Sequence, residues 1–260
     1  MLRALYTAAT GMQAQQINID TIANNIANVN TTGFKQGRAE FQDLLYQTIR
    51  PAGTASSNST TYPVGLQLGL GTRPVATDRI YTQGDFRQTN NPYDLVIEGK
   101  GFFQVKLSSG EIGYTRDGSF HVGGDGSLVT ADGNSLEPPI KIPANAESIT
   151  IGKDGNVSVN VGGQNQQVGD IQLANFANPA GLNAVGGNLF KSSTASGDAT
   201  TGAPGENGVG RVNQGFLENS NVSVVEEMVN MIIAQRAYEV NSRAVKVADD
   251  MLSQINNLVR

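Results

Sequence analysis

The sequence predicts an α+β protein in which long N- and C-terminal helices pair as a coiled coil around an inserted, mostly antiparallel β domain. Near the N-terminus, side chains of one stripe recur in steps of four and three, and near the C-terminus apolar residues recur every seven positions. Such spacing places side chains on one helical face. Between these ends, apolar and polar residues alternate on either side of Asp-Gly pairs, which is typical of β-hairpins.

The N-terminal stripe predicts a helix over residues 3–29. It comprises Ala8, Met12, Gln15, Ile19, Ile22, Ile26 and Val29. Asn28, Asn30 and Gly33 supply stop signals. Asn24, Asn25 and Asn28 lie beside the stripe and leave two interpretations open. They are either cap-forming residues of a helix end, or a polar strip that hydrogen-bonds to neighbouring helices and sets their register.

The C-terminal repeat predicts a helix from Ser223, as N-cap with Glu226 three residues on, to Leu258. Its seven-residue row is Val224, Met231, Tyr238, Val245, Leu252 and Val259. Further apolar residues lie off this row, so the helix is apolar nearly all round and must be buried nearly all round. One partner helix covers only one side. We therefore expect other copies or another protein to cover the rest, and expect both termini to be largely disordered in the free monomer.

Residues 33–80 and 200–219 are predicted to be a linker region between the helices and the β domain. Within it, residues 34–46 suggest a short second helix with Phe41, Leu44 and Leu45 on one side. Residues 47–63 are poor in apolar side chains. They are either a solvated linker or an extended arm that orders against a neighbouring subunit.

The β domain is predicted over residues 81–199, and residues 1–32 with 220–260 are predicted to form the helical domain. Phe103, Val105 and Leu107 alternate with polar residues. Asp-Gly pairs predict hairpin turns, because both residue types tolerate the backbone angles of such turns; they begin at Asp117, Asp125, Asp132 and Asp154. A further strand is predicted near 171–176, and the polar residues 191–210 are expected to link back to the last helix.

The composition excludes several kinds of chemistry. The chain of 260 residues has no cysteine, which excludes disulfides and thiolate catalysis. A net charge of −5 without basic clusters argues against nucleic-acid binding. The single histidine, His121, is expected to be a surface strand residue. Glu98, Glu111 and Asp117 lack the pattern of a glycosidase pair, and the Asp-Gly pairs lack calcium-ligand spacing. We expect no catalytic residue, cofactor or metal.

The N-terminus does not resemble a secretory signal, because polar residues interrupt its apolar stretch. No segment approaches the length of about 18–20 apolar residues that spans a bilayer. We expect a chain without membrane insertion that is either cytoplasmic or exported by a route that cleaves nothing.

Three separated motifs resemble the flagellar rod and hook protein family. Residues 23–35, ANNIANVNTTGFK, resemble its N-terminal signature. The segments 101–105, GFFQV, and 114–118, YTRDG, resemble its central motifs. The segments 219–222, NSNV, and 235–244, QRAYEVNSRA, resemble its C-terminal signature. The resemblance extends from one end of the chain to the other. Within the family, the length of the chain and residues 41–63 are most similar to those of a distal rod subunit.

The resemblance implies a non-enzymatic subunit of a rigid helical tube that transmits torque. The paired terminal helices would line the wall of an export channel, and the β domain would face outward. The implied partners are other copies of the chain, neighbouring rod and hook proteins, the P and L ring proteins and the flagellar type III export apparatus. The implied location is the periplasm-spanning rod of the basal body. A hook or proximal rod subunit, or a secreted binding module or glycan hydrolase, are the alternatives.

Two sets of residues are predicted to carry assembly. The helical set is Met12, Ile19, Ile22, Asn24, Asn25, Ile26, Val29, Val224, Met228, Met231, Tyr238, Val245, Leu252, Ile255 and Val259. The arm set, expected to stiffen the tube, is Tyr46, Gln47, Ile49, Arg50, Pro51, Tyr62 and Pro63.

Overall fold

Two long helices flank a region whose regular secondary structure consists mainly of short β-strands joined by turns. The computed structural model describes residues 2–57, 60–206 and 208–258. Helix α1 spans Leu2–Ala27 and helix α2 spans Val224–Leu258. The strands between them are β1 (Gly37–Asp43), β2 (Tyr46–Arg50), β3 (Ala55–Ser57), β4 (Thr60–Thr61), β5 (Leu66–Gly69), β6 (Thr72–Arg79), β7 (Phe86–Gln88), β8 (Leu95–Glu98), β9 (Phe102–Lys106), β10 (Ile112–Thr115), β11 (His121–Val122), β12 (Leu128–Val129), β13 (Ser135–Glu137), β14 (Ser148–Ile151), β15 (Asn156–Val161), β16 (Gln164–Asp170), β17 (Leu173–Asn175), β18 (Asn183–Gly186), β19 (Leu189–Lys191), β20 (Thr200–Gly202), β21 (Arg211–Gln214) and β22 (Phe216–Glu218).

The chain divides into two compact units. Unit 1 comprises Met1–Ile26, Gly37–Asp78 and Ser223–Arg260. Unit 2 comprises Ala27–Gln36 and Arg79–Val222. The three-part division predicted from the sequence stays a prediction for the assembled protein.

The helices of unit 1 confirm the predicted helical termini. Helix α1 ends two residues before the predicted boundary, and α2 begins directly after Ser223 and ends at Leu258. The helices pack side by side in an antiparallel sense, because Asn25 lies against Glu227, whereas Gly11 lies against Asn241. The packing of two helices is confirmed, and their pairing as a coiled coil stays a prediction.

The predicted short helix over 34–46 is wrong. Residues 37–43 instead form strand β1, which pairs with β6. The pairing continues beyond these strands, because the Leu44 amide donates to the Gly71 carbonyl at 2.8 Å. The three apolar residues that suggested a helix were a weak signal. The backbone of this segment instead pairs with strand β6, which begins 35 residues after β1 does.

The main sheet of unit 2 runs in the order β11-β12-β13-β9-β10-β19-β18, with β17 joining β9 to β20. Strands β14, β15 and β16 form a separate antiparallel sheet, and β8 and β7 pair with β21 and β22. Central strand β9 separates two apolar clusters. Phe103 and Val105 pack into one, and Phe102 packs with Tyr114 into the other. The predicted strand near 171–176 is confirmed, and the predicted link 191–210 contains strand β20.

Most predicted hairpin turns are confirmed. Gly126, Gly133 and Gly155 adopt positive φ angles of 79°, 81° and 85° between successive strands. The turn predicted at Asp117-Gly118 is wrong, because β10 pairs with β9 and β19 and not with β11. The Asp117 carboxylate instead accepts hydrogen bonds from the amide and hydroxyl of Ser119 at 3.0 and 2.8 Å. An Asp-Gly pair predicts a local bend of the backbone. Whether the strands on either side of the bend pair with each other depends on the rest of the sheet.

Candidate assembly surfaces

The covered face of α2 contains two rows of side chains, of which the sequence analysis found one. Met231, Val245 and Leu252 of the predicted row are half-buried. The second row, at positions alternating with the first in steps of three and four, consists of Glu227, Ala234, Asn241 and Ala248. Ala234 and Ala248 are buried. The sequence did not predict this row, because small and polar residues do not form an apolar stripe. Small residues nevertheless allow two helices to pack closely.

The residues of the α1 stripe are buried or half-buried, and the asparagines beside it differ from one another in exposure. Ile22 is buried, and Met12, Ile19, Ile26 and Val29 are half-buried. Asn25 is buried at 2% exposure, whereas Asn24 is exposed. The asparagine cluster is therefore not one uniform strip, because only one of its helical members faces the inside of unit 1.

Asn25 ties α1 to two other segments of unit 1. Its side-chain oxygen accepts from the Gly37 amide at 2.8 Å, and its Nδ2 donates to the Gly37 carbonyl, also at 2.8 Å. The same Nδ2 lies 3.3 Å from Oε2 of the buried Glu227 on α2. These contacts fix the position of α1 along β1 and along α2. They favour the register-setting interpretation, here within one chain.

Replacing Asn25 by Ala is expected to lower the free energy of unfolding of unit 1 by about 2–4 kcal/mol, because buried polar groups of Gly37 and Glu227 lose a partner and each costs about 1–3 kcal/mol. Urea denaturation followed by far-ultraviolet circular dichroism measures the change. The matched control is Asn24→Ala, which alters the same residue type one position away on the exposed face. Equal effects of the two substitutions would contradict the assigned role.

An uncovered apolar stripe lies on the other side of α2. It comprises Val225, Val229, Ile232, Ile233, Val240 and Val247, and we call it the open stripe. Ile233, Val240 and Val247 follow the row of Met231 and Val245 by two positions, which is about 200° around an α-helix. Val225 is 73% exposed and Ile233 is 62% exposed. Exposed apolar patches of this kind mark protein–protein interfaces.

The remaining predicted helical residues fall into three groups. Val224, Met228 and Tyr238 are exposed in the single chain. Ile255 lies within α2. Val259 lies outside the described residues. Within the predicted seven-residue row, Met231, Val245 and Leu252 are therefore half-buried, whereas Val224 and Tyr238 are exposed.

The described residues of the arm, 46–57 and 60–63, include strands β2, β3 and β4. Strand β2 pairs with β5 in the register Tyr46↔Gly69 and Thr48↔Gln67, with a bulge before Arg50. The Arg50 guanidinium lies 3.7 Å from the centre of the Tyr62 ring. The described residues of the arm therefore pair within their own chain, and the sequence pattern did not predict these strands. The contact of the arm with a neighbouring subunit stays a prediction.

Apolar side chains remain open on and beside the arm. Leu45 is 83% exposed, and Tyr46, Ile49, Val64, Leu66 and Leu68 are also exposed. Gln47, Pro51 and Pro63 are exposed polar or proline positions of the same segment. A two-stranded ribbon is marginally stable at best in water. This combination favours contact with further chains.

A buried ion cluster in unit 2 was missed by the sequence analysis. Glu218 Oε1 lies 2.6 Å from Lys35 Nζ, and its Oε2 lies 3.1 Å from Arg116 Nε. All three side chains are at most 5% exposed. Arg116 also donates to the carbonyls of Gly101 and Gly99 at 2.7 and 2.9 Å. The available signal was a charged residue inside or next to each of the three motifs.

The cluster holds two cations and one anion, and this shapes its electrostatics. Burial lowers the pKa of Lys35, and the neighbouring Glu218 carboxylate opposes that shift. Burial likewise lowers the pKa of Arg116. The hydrogen bonds from Lys35 to the Thr82 carbonyl and from the Gly84 amide to Glu218 complete the polar shell.

Two of the residues that were considered for catalysis, His121 and Glu111, lie at exposed positions. His121 is exposed in strand β11. Glu111 forms an exposed ion pair with Lys191, and this contact lowers the pKa of Glu111. Over residues 2–57, 60–206 and 208–258, no group of three His, Cys, Asp or Glu side chains is placed to hold a metal ion. Within the same described part of the chain, neither helix is long and apolar enough to cross a membrane.

Three family descriptions match separate parts of the chain. "Flagella basal body rod protein" matches residues 5–35, "Flagellar hook protein FlgE/F/G D1 domain" matches residues 96–159, and "Flagellar basal body rod FlgEFG protein C-terminal" matches residues 213–258. Lys35, Arg116 and Glu218 each lie in a different one of these regions. The buried ion cluster therefore joins the three matched regions.

Similar proteins match the chain over its whole length. The flagellar basal-body rod protein FlgG of Borreliella burgdorferi is 52% identical over 264 residues, covering 100% of both chains. FlgG of Caulobacter vibrioides is 51% identical over 260 residues, covering 99% of both chains. FlgG of Bacillus subtilis is 41% identical over 266 residues, covering 100% of both chains. These matches confirm the resemblance carried by the three motifs, and the chain belongs to the flagellar basal-body rod protein family.

Proposed function

We propose that the chain is a structural subunit of the distal rod of the bacterial flagellar basal body. It polymerises into a rigid helical tube that transmits torque and encloses an export channel. The observation that carries the proposal is the open stripe of α2, an apolar surface that a single chain leaves uncovered. The full-length similarity to basal-body rod proteins supports it. The family is structural, and the chain is not an enzyme.

The terminal helices provide the polymerisation surface. The α1–α2 pair packs as an antiparallel coiled coil through the covered rows, and the open stripe packs against neighbouring copies. Each apolar side chain that becomes fully buried contributes roughly 1.5–3 kcal/mol. Burial of the six side chains of the open stripe therefore opposes the entropy that association costs. The exposed Val224, Met228 and Tyr238 extend the same contacts.

The arm stiffens the tube by contacting adjacent subunits. Its open apolar residues, led by Tyr46 and Ile49, offer a surface for a neighbouring chain, and the Arg50–Tyr62 contact holds the ribbon in shape. A tube bends only when its neighbouring subunits slide past one another. Ribbons that contact adjacent subunits around the tube oppose this sliding.

Deleting residues 46–63 is expected to give a curved or flexible polymer, because the contacts that resist subunit sliding are removed while both helices remain. Electron microscopy of basal bodies from cells carrying the deletion measures the curvature. A control chain in which the exposed turn residues 162–163 of unit 2 are replaced by other turn residues should give straight rods. A straight rod after the deletion would contradict the proposed stiffening role of the arm.

The further partners follow from this location. The tube contacts neighbouring rod and hook proteins at its ends and the P and L ring proteins around its length, and it spans the periplasm. The subunit leaves the cell through the flagellar type III export apparatus. It inserts into no membrane and binds no nucleic acid.

A further inference from the structure

We propose that Asn221, Lys35 and Glu218 form a clamp that holds three chain segments of unit 2 at fixed spacing, so that force entering through one segment is shared by all three. The segments are 33–36, 79–84 and 218–222. The inference deepens the proposed function, because it rests on the chain being part of a torque-transmitting rod. The three side chains are positioning residues.

The chain crosses between the two units at four points, the first of which is its entry into unit 2 at Ala27. The three segments adjoin the other three crossing points. The chain leaves unit 2 after Gln36, re-enters it at Arg79 and leaves it again after Val222. Each of the three segments ends at or begins at one of these points. Contacts between these segments therefore lie where the backbone would transmit force into or out of unit 2.

Asn221 bridges the other two segments with one side chain. Its Oδ1 accepts from the Gln36 amide at 2.7 Å. Its Nδ2 donates to the Ile80 carbonyl at 2.8 Å, and lies 2.9 Å from Thr82 Oγ1 and 3.2 Å from the Thr82 carbonyl. The amide side chain thus uses its acceptor on one segment and its donors on another.

Lys35 and Glu218 repeat this bridging from the other side. Lys35 Nζ lies 2.6 Å from the Thr82 carbonyl and 2.6 Å from Glu218 Oε1. Glu218 Oε1 also accepts from the Gly84 amide at 3.0 Å. Each of the three segments therefore contributes groups to both bridges.

Backbone contacts show that the segments are already in close approach. The Ile80 amide donates to the Gln36 carbonyl at 2.9 Å, and the Gly33 amide donates to the Glu218 carbonyl at 2.8 Å. Gly33 has a φ of +68°, and a Cβ there would lie 2.7 Å from the Arg116 backbone. The segment 33–36 is therefore closely packed at Gly33, and backbone hydrogen bonds join it to both other segments.

Buried hydrogen bonds that share donors and acceptors open together, because breaking one leaves its partners unsatisfied. The Lys35–Glu218 bond is buried and the bonds of Asn221 to Gln36 and Ile80 are partly buried, whereas its bonds to Thr82 are exposed. Opening any one segment therefore requires the others to release it. This makes the three segments one cooperative element under load.

The test is amide hydrogen exchange, read by mass spectrometry on the full chain, of Asn221→Ala. We expect exchange to rise by at least about tenfold in all three segments, since several hydrogen bonds are lost at once. Exchange in strands β9 and β10 should keep its wild-type rate. The milder Thr82→Val, at an exposed position, should raise exchange in 79–84 and also in 218–222.

Asn178→Ala is the matched control, because this exposed asparagine of unit 2 donates to the Ala195 carbonyl, away from the clamp. It should leave the three segments unchanged. Faster exchange confined to 218–222 in Asn221→Ala would overturn the clamp, since the segments would then be independent. Faster exchange throughout unit 2, including β9, would also overturn it, since Asn221 would then hold the whole fold.

A measurement in cells separates the clamp from the proposed function. In a strain lacking its own copy, the wild-type chain should restore rods and rotation. Asn221→Ala should restore rods but lose rotation at high load in a tethered-cell assay, and equal rotation at all loads would overturn the sharing of force. Failure of the wild-type chain to restore rods would overturn the proposed function, and the exchange experiment would still decide the clamp.

Discussion

Replacing Glu218 by Gln is expected to lower the free energy of unfolding of unit 2 by about 3–5 kcal/mol, the usual cost of breaking a buried ion pair from one side. The substitution preserves size and leaves Lys35 and Arg116 as two buried cations without an anion. Urea denaturation followed by near-ultraviolet circular dichroism of tyrosines measures the loss, since unit 2 contains Tyr81, Tyr93 and Tyr114.

The same variant should show a distinctive pH dependence. Burial lowers the pKa of Lys35 below its ordinary value of 10.5. Between the lowered pKa and 10.5 the unfolded chain binds more protons than the folded chain, so the free energy of unfolding rises with pH in that window. Removing the carboxylate lowers this pKa further. The difference between wild type and Glu218→Gln should therefore be largest near neutral pH and should shrink as the pH approaches 10.

The control is Glu111→Gln, which removes the carboxylate of the exposed pair with Lys191. Exposed ion pairs contribute little because water and salt screen them. This variant should unfold at the wild-type urea concentration. A comparable loss in both variants, or a Glu218→Gln deficit that does not change with pH, would contradict the cluster as the cause.

Replacing Ile233 and Val240 by Lys is expected to abolish polymerisation while the single chain stays folded. Both side chains are exposed in the open stripe, so the substitutions cost the isolated chain little. In the polymer, each loses roughly 1.5–3 kcal/mol of burial. A total of about 3–6 kcal/mol raises the concentration needed for polymerisation by two to four orders of magnitude, since 1.4 kcal/mol is a factor of ten. Sedimentation of purified chains measures this concentration.

The control adds the same two charges to α2 away from the open stripe. Gln235→Lys combined with Ser253→Lys serves, because both positions are exposed. Gln235 follows Ile233 of the open stripe by two positions, about 200° around the helix, and Ser253 follows Val247 by six positions, about 240° around it. This variant should polymerise at the wild-type concentration. If both double variants polymerise equally, the open stripe is not the assembly surface.

The sequence predicted the helices well because their signal is local. The row of Met231, Val245 and Leu252 repeats every seven residues, and Ser223 and Glu226 mark a helix start that the structure places at Val224. The hairpins at Gly126, Gly133 and Gly155 were predictable for a similar reason. Each needs a positive φ at one residue, and glycine provides it at little steric cost.

Features that depend on distant partners were not predictable. Strand β1 was taken for a helix because its partner β6 begins 35 residues after β1 does. The second row of the helix pair was invisible because Glu227 and Asn241 are polar, and Asn25 is covered while adjacent Asn24 is not. Helical periodicity places Asn25 nearer than Asn24 to the stripe of Ile22 and Ile26. Only the structure shows that Gly37 and α2 cover Asn25.

The sequence by itself determined the terminal helices, the turn positions, the excess apolar width of α2 and the family that its motifs resemble. Only the tertiary structure decided that Lys35, Arg116 and Glu218 meet, and that Asn221 bridges Gln36 to Ile80. The physical reason is range. Periodicity and turn geometry act over a few residues, whereas a buried charge finds its partner across 183 positions only when the fold brings the segments together.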